Sequence, residues 1–276
     1  MQPPISIGIL APYRPASCLQ ALERLHDECK KQGLHSYEIG KYTAESQPPP
    51  DVLLCLGGDG TILSEAEKAA RSGAIIGGIN MGHLGFLSAC GREEIPLLVQ
   101  ALAEGRYTVD ERSMLQVTRS GDGSASHIAL NEVALMRAQT GKMVDVDVEL
   151  DGELLNRYHA DGVLVATPTG STAYSLSAGG PLLWPNAGVM CLTPICPHSL
   201  TNRSVVLPES VQITIRPRER RGRAGESLIF SLDGRSTHSI ALNETLTICK
   251  APISLRLLLL PTSNYAARLR AKLGWR

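Results

Sequence analysis

Apolar residues recur along the first third of the chain in two alternating rhythms. Ile5 to Leu10 reads as a strand, and a helix follows from Ser17, with Gln20 three residues later as a capping-box partner. Leu19, Leu22, Leu25 and Cys29 form its apolar face, and Gly33 ends it. Gln47-Pro48-Pro49-Pro50 reads as a loop, Asp51 to Leu56 as a buried strand, and Thr61 to Ser72 as a helix closed by Gly73. Ala74 to Ile79 is another buried strand and Ile95 to Ala103 another helix. Fully apolar strands alternating with helices predict a parallel sheet covered on both faces, a Rossmann-like α/β domain.

The rhythm changes after about Gly105. Val144, Val146, Val148 and Leu150 alternate with Asp145, Asp147 and Glu149, the pattern of a strand with one wet face. Asp151-Gly152 and Asp122-Gly123 read as hairpin turns. Val211 to Ile215, Leu228 to Leu232 and Glu244 to Cys249 continue the strand pattern, and one short helix after Ser171 interrupts it. Leu257 to Leu260 is a separate short buried-strand run. The expected organisation is residues 1–104, joined by about 255–276, as the α/β domain, and 105–254 as a mostly β, sandwich-like domain. The return of the last segment is not visible in the pattern alone, and there is no internal repeat.

Composition narrows the classes. The chain has 276 residues, with 27 basic and 27 acidic side chains, so no global field favours nucleic acid or an anionic membrane. No apolar run approaches the about 18 residues of a membrane span. Met1-Gln2-Pro3-Pro4 does not resemble a secretory signal. Seven scattered cysteines without a CxxC pair suit a reducing cytoplasm. Cys55, inside Val52-Leu53-Leu54-Cys55-Leu56, reads as a small core residue.

Three motifs carry candidate chemistry. Gly57-Gly58-Asp59-Gly60-Thr61 follows a buried strand and opens a helix, at the sheet edge where open α/β folds bind ligands. Its glycines let backbone amides approach phosphate oxygens, and the helix N-terminus adds partial positive charge. Asp59 suits a base that takes a proton from a hydroxyl nucleophile, or a helix cap. Asn131-Glu132, after the strand-like His127 to Leu130, reads either as a pair that holds adenine or ribose or as a plain strand end. The run from Asp161 to Gly180 leads a buried strand through Thr167-Pro168-Thr169-Gly170-Ser171-Thr172 into a short helix. That turn, dense in small polar residues, suits a polar nucleotide.

These motifs, taken in order with Asn80-Met81-Gly82-His83-Leu84-Gly85-Phe86-Leu87, resemble the successive motifs of the NAD kinase family. Thr193-Pro194-Ile195-Cys196-Pro197-His198-Ser199-Leu200 and Asp233-Gly234-Arg235 are similar to its later motifs, so the likeness covers essentially the whole chain. The resemblance implies that Asp59 is the general base for attack of the adenosine ribose 2′-hydroxyl of NAD on the γ-phosphate of ATP, or on polyphosphate. It implies that Gly57, Gly58, Gly60 and Thr61 cradle donor phosphates, that Asn80 supports that loop, and that Phe86 flanks the adenine. Asn131, Glu132, Asp161, Thr172, Ala173, Tyr174 and Ser177 would bind the dinucleotide, some from a neighbouring subunit of a homodimer or homotetramer. Lys142 falls in a stretch that varies in the family. His159 stands where relatives often have arginine or glycine, a position linked to acceptor choice, and Arg235 where many have glutamine.

A divalent cation, Mg²⁺ by preference for phosphate oxygens, is expected wherever two polyanions meet. No GxGxxG turn follows the first strand, where Ala11-Pro12-Tyr13-Arg14-Pro15 stands instead. The resemblance makes NAD a substrate, so no hydride transfer is implied. A lipid kinase sharing the glycine turn needs an apolar acceptor site, against which the polar run 161–180 argues. A non-catalytic dinucleotide sensor would not need Asp59. Arg216, Arg218, Arg220, Arg221 and Arg223, broken by Glu219, read as a solvated hairpin loop or as a polyanion contact.

Overall fold

The computed structural model describes residues 1–40, 49–82, 85–123, 125–138, 143–218 and 228–275. Gln47, Pro48, His83, Leu84, Lys142, Glu219, Arg220, Arg221 and Arg223 lie outside the described residues. The chain forms two compact units, Met1–Glu111 with Leu255–Arg276, and Arg112–Ser254.

In the first unit a parallel sheet runs in the order Leu246–Leu259 (its C-terminal end), Ile75–Asn80, Val52–Leu56, Ile7–Leu10 and Ser36–Glu38. Every residue of Ile7–Leu10, Val52–Leu56 and Ile75–Asn80 is buried, as continuous apolar runs predict for strands covered on both faces. Side chains alternate across the sheet. Val52, Leu54 and Leu56 pack with Leu22 and Leu25 of the helix Ala16–Lys31 and with Leu98 and Leu102 of the helix Ile95–Ala103. Cys55 points the other way, where burial and nearby Glu65 of the helix Asp59–Ser72 push its thiol up.

Three local readings are corrected. The first helix starts at Ala16 after Pro15, with no side-chain cap, so the Ser17–Gln20 capping box does not form. Pro15 already fixes the entry φ at −63°, and Ser17 falls inside the helix rather than at its cap. Leu19 is 39% exposed because the buried stripe runs through Cys18, Ala21, Leu22, Leu25 and Cys29, which turns Leu19 outward. The second helix begins at Asp59, two residues before Thr61, and ends on left-handed Gly73 as its glycine predicts.

The second unit is a pair of largely antiparallel sheets. One contains Glu153–Ala160, Val144–Leu150, Ile213–Pro217 and Leu246–Leu259 in that order. The other runs Val205–Pro208, Val189–Ile195, Gly162–Ala166, Glu132–Arg137, Leu228–Leu232 and Ser236–Ile240. Val144, Val146, Val148, Ile213 and Ile215 of the first pack against Val133, Leu135, Val163, Val165 and Phe230 of the second. This is the sandwich core that the valine alternation predicts. On the wet face Asp147 pairs with Arg218 at 3.1 Å and Glu149 with Arg216 at 2.8 Å, so the described arginines of the basic cluster meet carboxylates across strands.

Asp151 and Gly152, at φ of 49° and 88°, make the expected tight turn. The runs around Glu244–Cys249 and Leu257–Leu260 are one strand of 14 residues, Leu246–Leu259, rather than two. Lys250 and Ala251 between them continue the strand, with no turn residue to break it. Among the described residues no helix is long and apolar enough to cross a membrane, and all seven cysteines are free.

Candidate active site

In the first unit the glycine turn sits at the carboxyl end of Val52–Leu56. Gly57 donates its N–H to the Ile79 carbonyl at 3.0 Å, and Gly58 is the N-cap of the following helix. A Cβ on Gly57 would overlap the Thr61 hydroxyl, whereas one on Gly58 or Gly60 would meet open space. Neither position would let a side chain crowd a neighbouring group, and Gly58 leaves room for close approach of a ligand.

Asp59 stands in the first helical turn. Its carboxylate accepts from the N–H of Phe86 at 2.7 Å and of Leu87 at 3.1 Å, and from the Ser88 hydroxyl at 3.4 Å. Gly85 lies so close to this carboxylate that any Cβ there would overlap it. Buried Asn80 donates to the same Ser88 hydroxyl at 3.4 Å and accepts from the Gly82 N–H at 2.7 Å. Phe86 packs near Tyr265, with ring centroids 6.3 Å apart, and its carbonyl accepts from Arg268 at 3.0 Å. Asp59, Asn80 and Phe86, drawn from two motifs, thus meet in one network. Ser88 and Arg268 join it, and neither was legible beforehand because each acts through a long-range contact.

In the second unit Asn131 and Glu132 open the strand Glu132–Arg137, both more than nine-tenths buried. The Glu132 carboxyl accepts from the Tyr174 backbone N–H. Its Oε2 atom is buried with no hydrogen-bond partner. Burial first, then the neighbouring Asp233 carboxyl, pushes Glu132 up from 4.5 to about 7. Tyr174 is 38% exposed, and its phenol is raised by burial and by the negative charges of Cys196, Asp161 and Glu132. Glu132, Asp161 and Tyr174 therefore form one cluster.

Asp161 accepts from the Arg137 guanidinium at 3.0 Å, a partner on the neighbouring strand that no local motif announces. Thr172 donates its hydroxyl to the Thr169 carbonyl at 3.1 Å, the Ala173 N–H goes to the Gly170 carbonyl at 2.9 Å, and Ser177 is exposed at the end of the short helix Tyr174–Ser177. The Ser171 hydroxyl is buried and donates to the Pro168 carbonyl at 2.6 Å, a structural role.

Two expected residues have other neighbours. His159 Nδ1 lies 2.7 Å from Asp145 Oδ1, and its ring is 5.6 Å from that of His198. It borders a pocket of about 340 Å³ with Asp145, Tyr158, Arg157 and Arg218. Arg235 is exposed in the turn after Leu228–Leu232; burial pushes the Asp233 carboxyl up, and the nearby Arg235 charge partly offsets this.

Residues 16–107 match the family model of the ATP-NAD kinase N-terminal domain, and residues 130–260 that of the ATP-NAD kinase C-terminal domain. The chain belongs to the NAD kinase family. It is 38% identical to an NAD kinase of Aromatoleum aromaticum over 229 residues, 82% of this chain and 74% of that protein. It is 32% identical to an NAD kinase of Azoarcus over 98% of this chain and 96% of that protein. Among solved structures, yeast NADH kinase in complex with NADH superposes with a TM-score of 0.86 at 25% identity, covering 99% of this chain and 88% of the yeast chain. The NAD kinase of Archaeoglobus fulgidus in complex with ATP gives 0.80 at 25% identity, covering 98% and 99%. The α/β unit and the β-sandwich unit are the architecture that membership of the NAD kinase family implied.

Proposed function

We propose that this chain is an NAD kinase, a phosphotransferase that moves the γ-phosphate of ATP, or a phosphate of polyphosphate, to the adenosine ribose 2′-hydroxyl of NAD. The observation that carries the reading is the Gly57–Thr61 turn with Asp59 heading its helix, in a chain of the NAD kinase family. Asp59 takes the 2′-hydroxyl proton as that oxygen bonds to the γ-phosphorus. The bond from phosphorus to the bridging oxygen breaks, and ADP leaves with its electron pair. A positioned base of this kind contributes about 10²–10⁴-fold.

To do so Asp59 must exchange the Phe86 and Leu87 N–H donors, at least in part, for the substrate hydroxyl. Gly57, Gly58, Gly60 and Thr61 serve the donor phosphates, Asn80 steadies them through Ser88, and Phe86 flanks adenine. Asn131, Glu132, Asp161, Thr172, Ala173, Tyr174 and Ser177 serve the dinucleotide. The orphaned Oε2 of Glu132 suits a ligand hydroxyl donor. His159 bears on acceptor choice and Arg235 on phosphate contact; Lys142 is assigned only by family likeness. In this reading residues 1–104 with about 255–276 form the donor domain and 105–254 the NAD-binding domain.

Among the described residues no group of three His, Cys, Asp or Glu side chains could hold a metal. A divalent cation, Mg²⁺ by preference for phosphate oxygens, would be carried by the triphosphate. When bound it neutralises phosphate charge. The protein acts in the cytoplasm as a homodimer or homotetramer.

NADP formation tests the reaction. The protein is incubated with NAD, ATP and Mg²⁺, and product is read with an NADP-specific dehydrogenase. Product from the wild type, with Asp59→Asn losing about 10²–10⁴-fold yet still binding NAD, is the expected result. Wild-type-like turnover in Asp59→Asn would sink Asp59 as the base. No product with NAD, NADH, ATP or polyphosphate would sink the kinase reading.

A further inference from the structure

The segment Leu130–Glu132 has its six backbone polar groups satisfied by two residues. Asp233 Oδ2 accepts from the Leu130 N–H at 3.0 Å. Asp233 Oδ1 accepts from the N–H groups of Asn131 at 2.7 Å and Glu132 at 3.1 Å. The Asp233 N–H donates back to the Glu132 carbonyl at 2.9 Å. Thr167 completes the set, its hydroxyl donating to the Leu130 carbonyl at 2.6 Å and its N–H to the Asn131 carbonyl at 2.9 Å.

Three consecutive N–H groups converging on one side-chain carboxylate is an uncommon arrangement, and here it comes with a conformational cost. Asp233 has φ of 52°, in the left-handed region that a non-glycine residue rarely occupies. The strained turn holds its carboxylate against the neighbouring strand. The side chains whose backbone is held in this way are Asn131 and Glu132, the second with its buried, unpartnered Oε2.

We infer that Asp233 is a positioning residue for the dinucleotide: its carboxylate clamps the backbone of residues 130–132 and so aims the Asn131 and Glu132 side chains. This rests on the proposed function for what those two side chains bind. The effect of Asp233 passes through three main-chain hydrogen bonds to a charged acceptor, which are stronger than neutral ones.

Two variants separate the carboxylate from the backbone conformation. Asp233→Gly accepts the positive φ and removes all three acceptors. Asp233→Asn also tolerates that φ and keeps an amide oxygen for two of the three N–H groups, but sets an NH₂ against Leu130.

The readouts are calorimetric NAD binding and the KM values for NAD and ATP. Asp233→Gly is expected to weaken NAD binding and raise its KM by about tenfold or more, with the KM for ATP within about twofold. Asp233→Asn should recover most of this, leaving a selective rise of about two- to threefold in the KM for NAD. NAD affinity unchanged in Asp233→Gly, or KM values for NAD and ATP rising together, would overturn the assignment, since a general loss of fold moves both. Should Asp233→Gly fail to fold, Asp233→Asn decides: a selective rise in KM for NAD supports the clamp and an unchanged KM overturns it. Wild type that binds NAD but forms no NADP would count against the kinase reading alone, because the binding arm still reads the clamp.

Discussion

Replacing Glu132 by Gln should stabilise the protein at neutral and alkaline pH while weakening the site. Glu132 is 4% exposed, has one backbone donor, and faces the Asp233 carboxyl. Asp233 is pushed up by its own burial but drawn back by three N–H donors and by Arg235, so it is the member of the pair better able to stay ionised. Glu132 takes the proton first.

Its ionisation moves from 4.5 in the unfolded chain to about 7 in the fold. Between those values the folded state keeps a proton that the unfolded chain has released, so rising pH works against folding. The displacement corresponds to about 3 kcal/mol, almost all of it lost by about pH 8. Gln carries no charge at any pH and has nearly the same volume. Urea unfolding at about pH 4 and about pH 8 measures the effect. The stability difference between Glu132→Gln and wild type should grow by about 3 kcal/mol in the variant's favour from the lower to the higher pH. Any fixed packing or hydrogen-bonding change from the substitution cancels in that comparison. A difference that stays constant across the range would refute the idea that a buried, half-satisfied carboxyl is strained here. The expected companion is weaker NAD binding by the more stable variant, the trade-off found where a site holds an unfavourable group ready for its ligand.

Two further outcomes follow from the first unit. Gly85→Ala inserts a Cβ into the space of the Asp59 carboxylate, so NADP formation should fall by at least about tenfold, with NAD binding largely kept; full activity would show that Asp59 needs no fixed orientation. Arg268→Met removes a buried guanidinium from the Phe86 carbonyl, which should cost about 1–3 kcal/mol in urea unfolding and raise the KM for ATP. A variant with unchanged stability and unchanged ATP kinetics would mean that this contact is incidental.

What could be read from the chain was local. The apolar runs at Val52–Leu56 and Ile75–Ile79, alternating with helical segments, pointed to a parallel sheet covered on both faces. The Val144–Leu150 alternation pointed to a strand with one wet face, because side chains alternate across a sheet. Where local signals competed, they misled. Ser17 looked like a cap until Pro15 started the helix first, and a single long strand looked like two because its ends alone are strongly apolar.

The motifs likewise named the residues of the candidate site without saying what each would touch. The available side chains could be named from the chain alone: Asp59 behind its glycines, Asn131-Glu132, and the polar run to Gly180. Folding is what puts the Asp59 carboxylate against the N–H groups of Phe86 and Leu87, Asp161 against Arg137, and Asp233 against three N–H groups of residues 130–132. Folding also buries one Glu132 oxygen without a partner. Hydrogen bonds and burial between residues tens to a hundred positions apart depend on strand register and packing, and local sequence pattern carries no record of either.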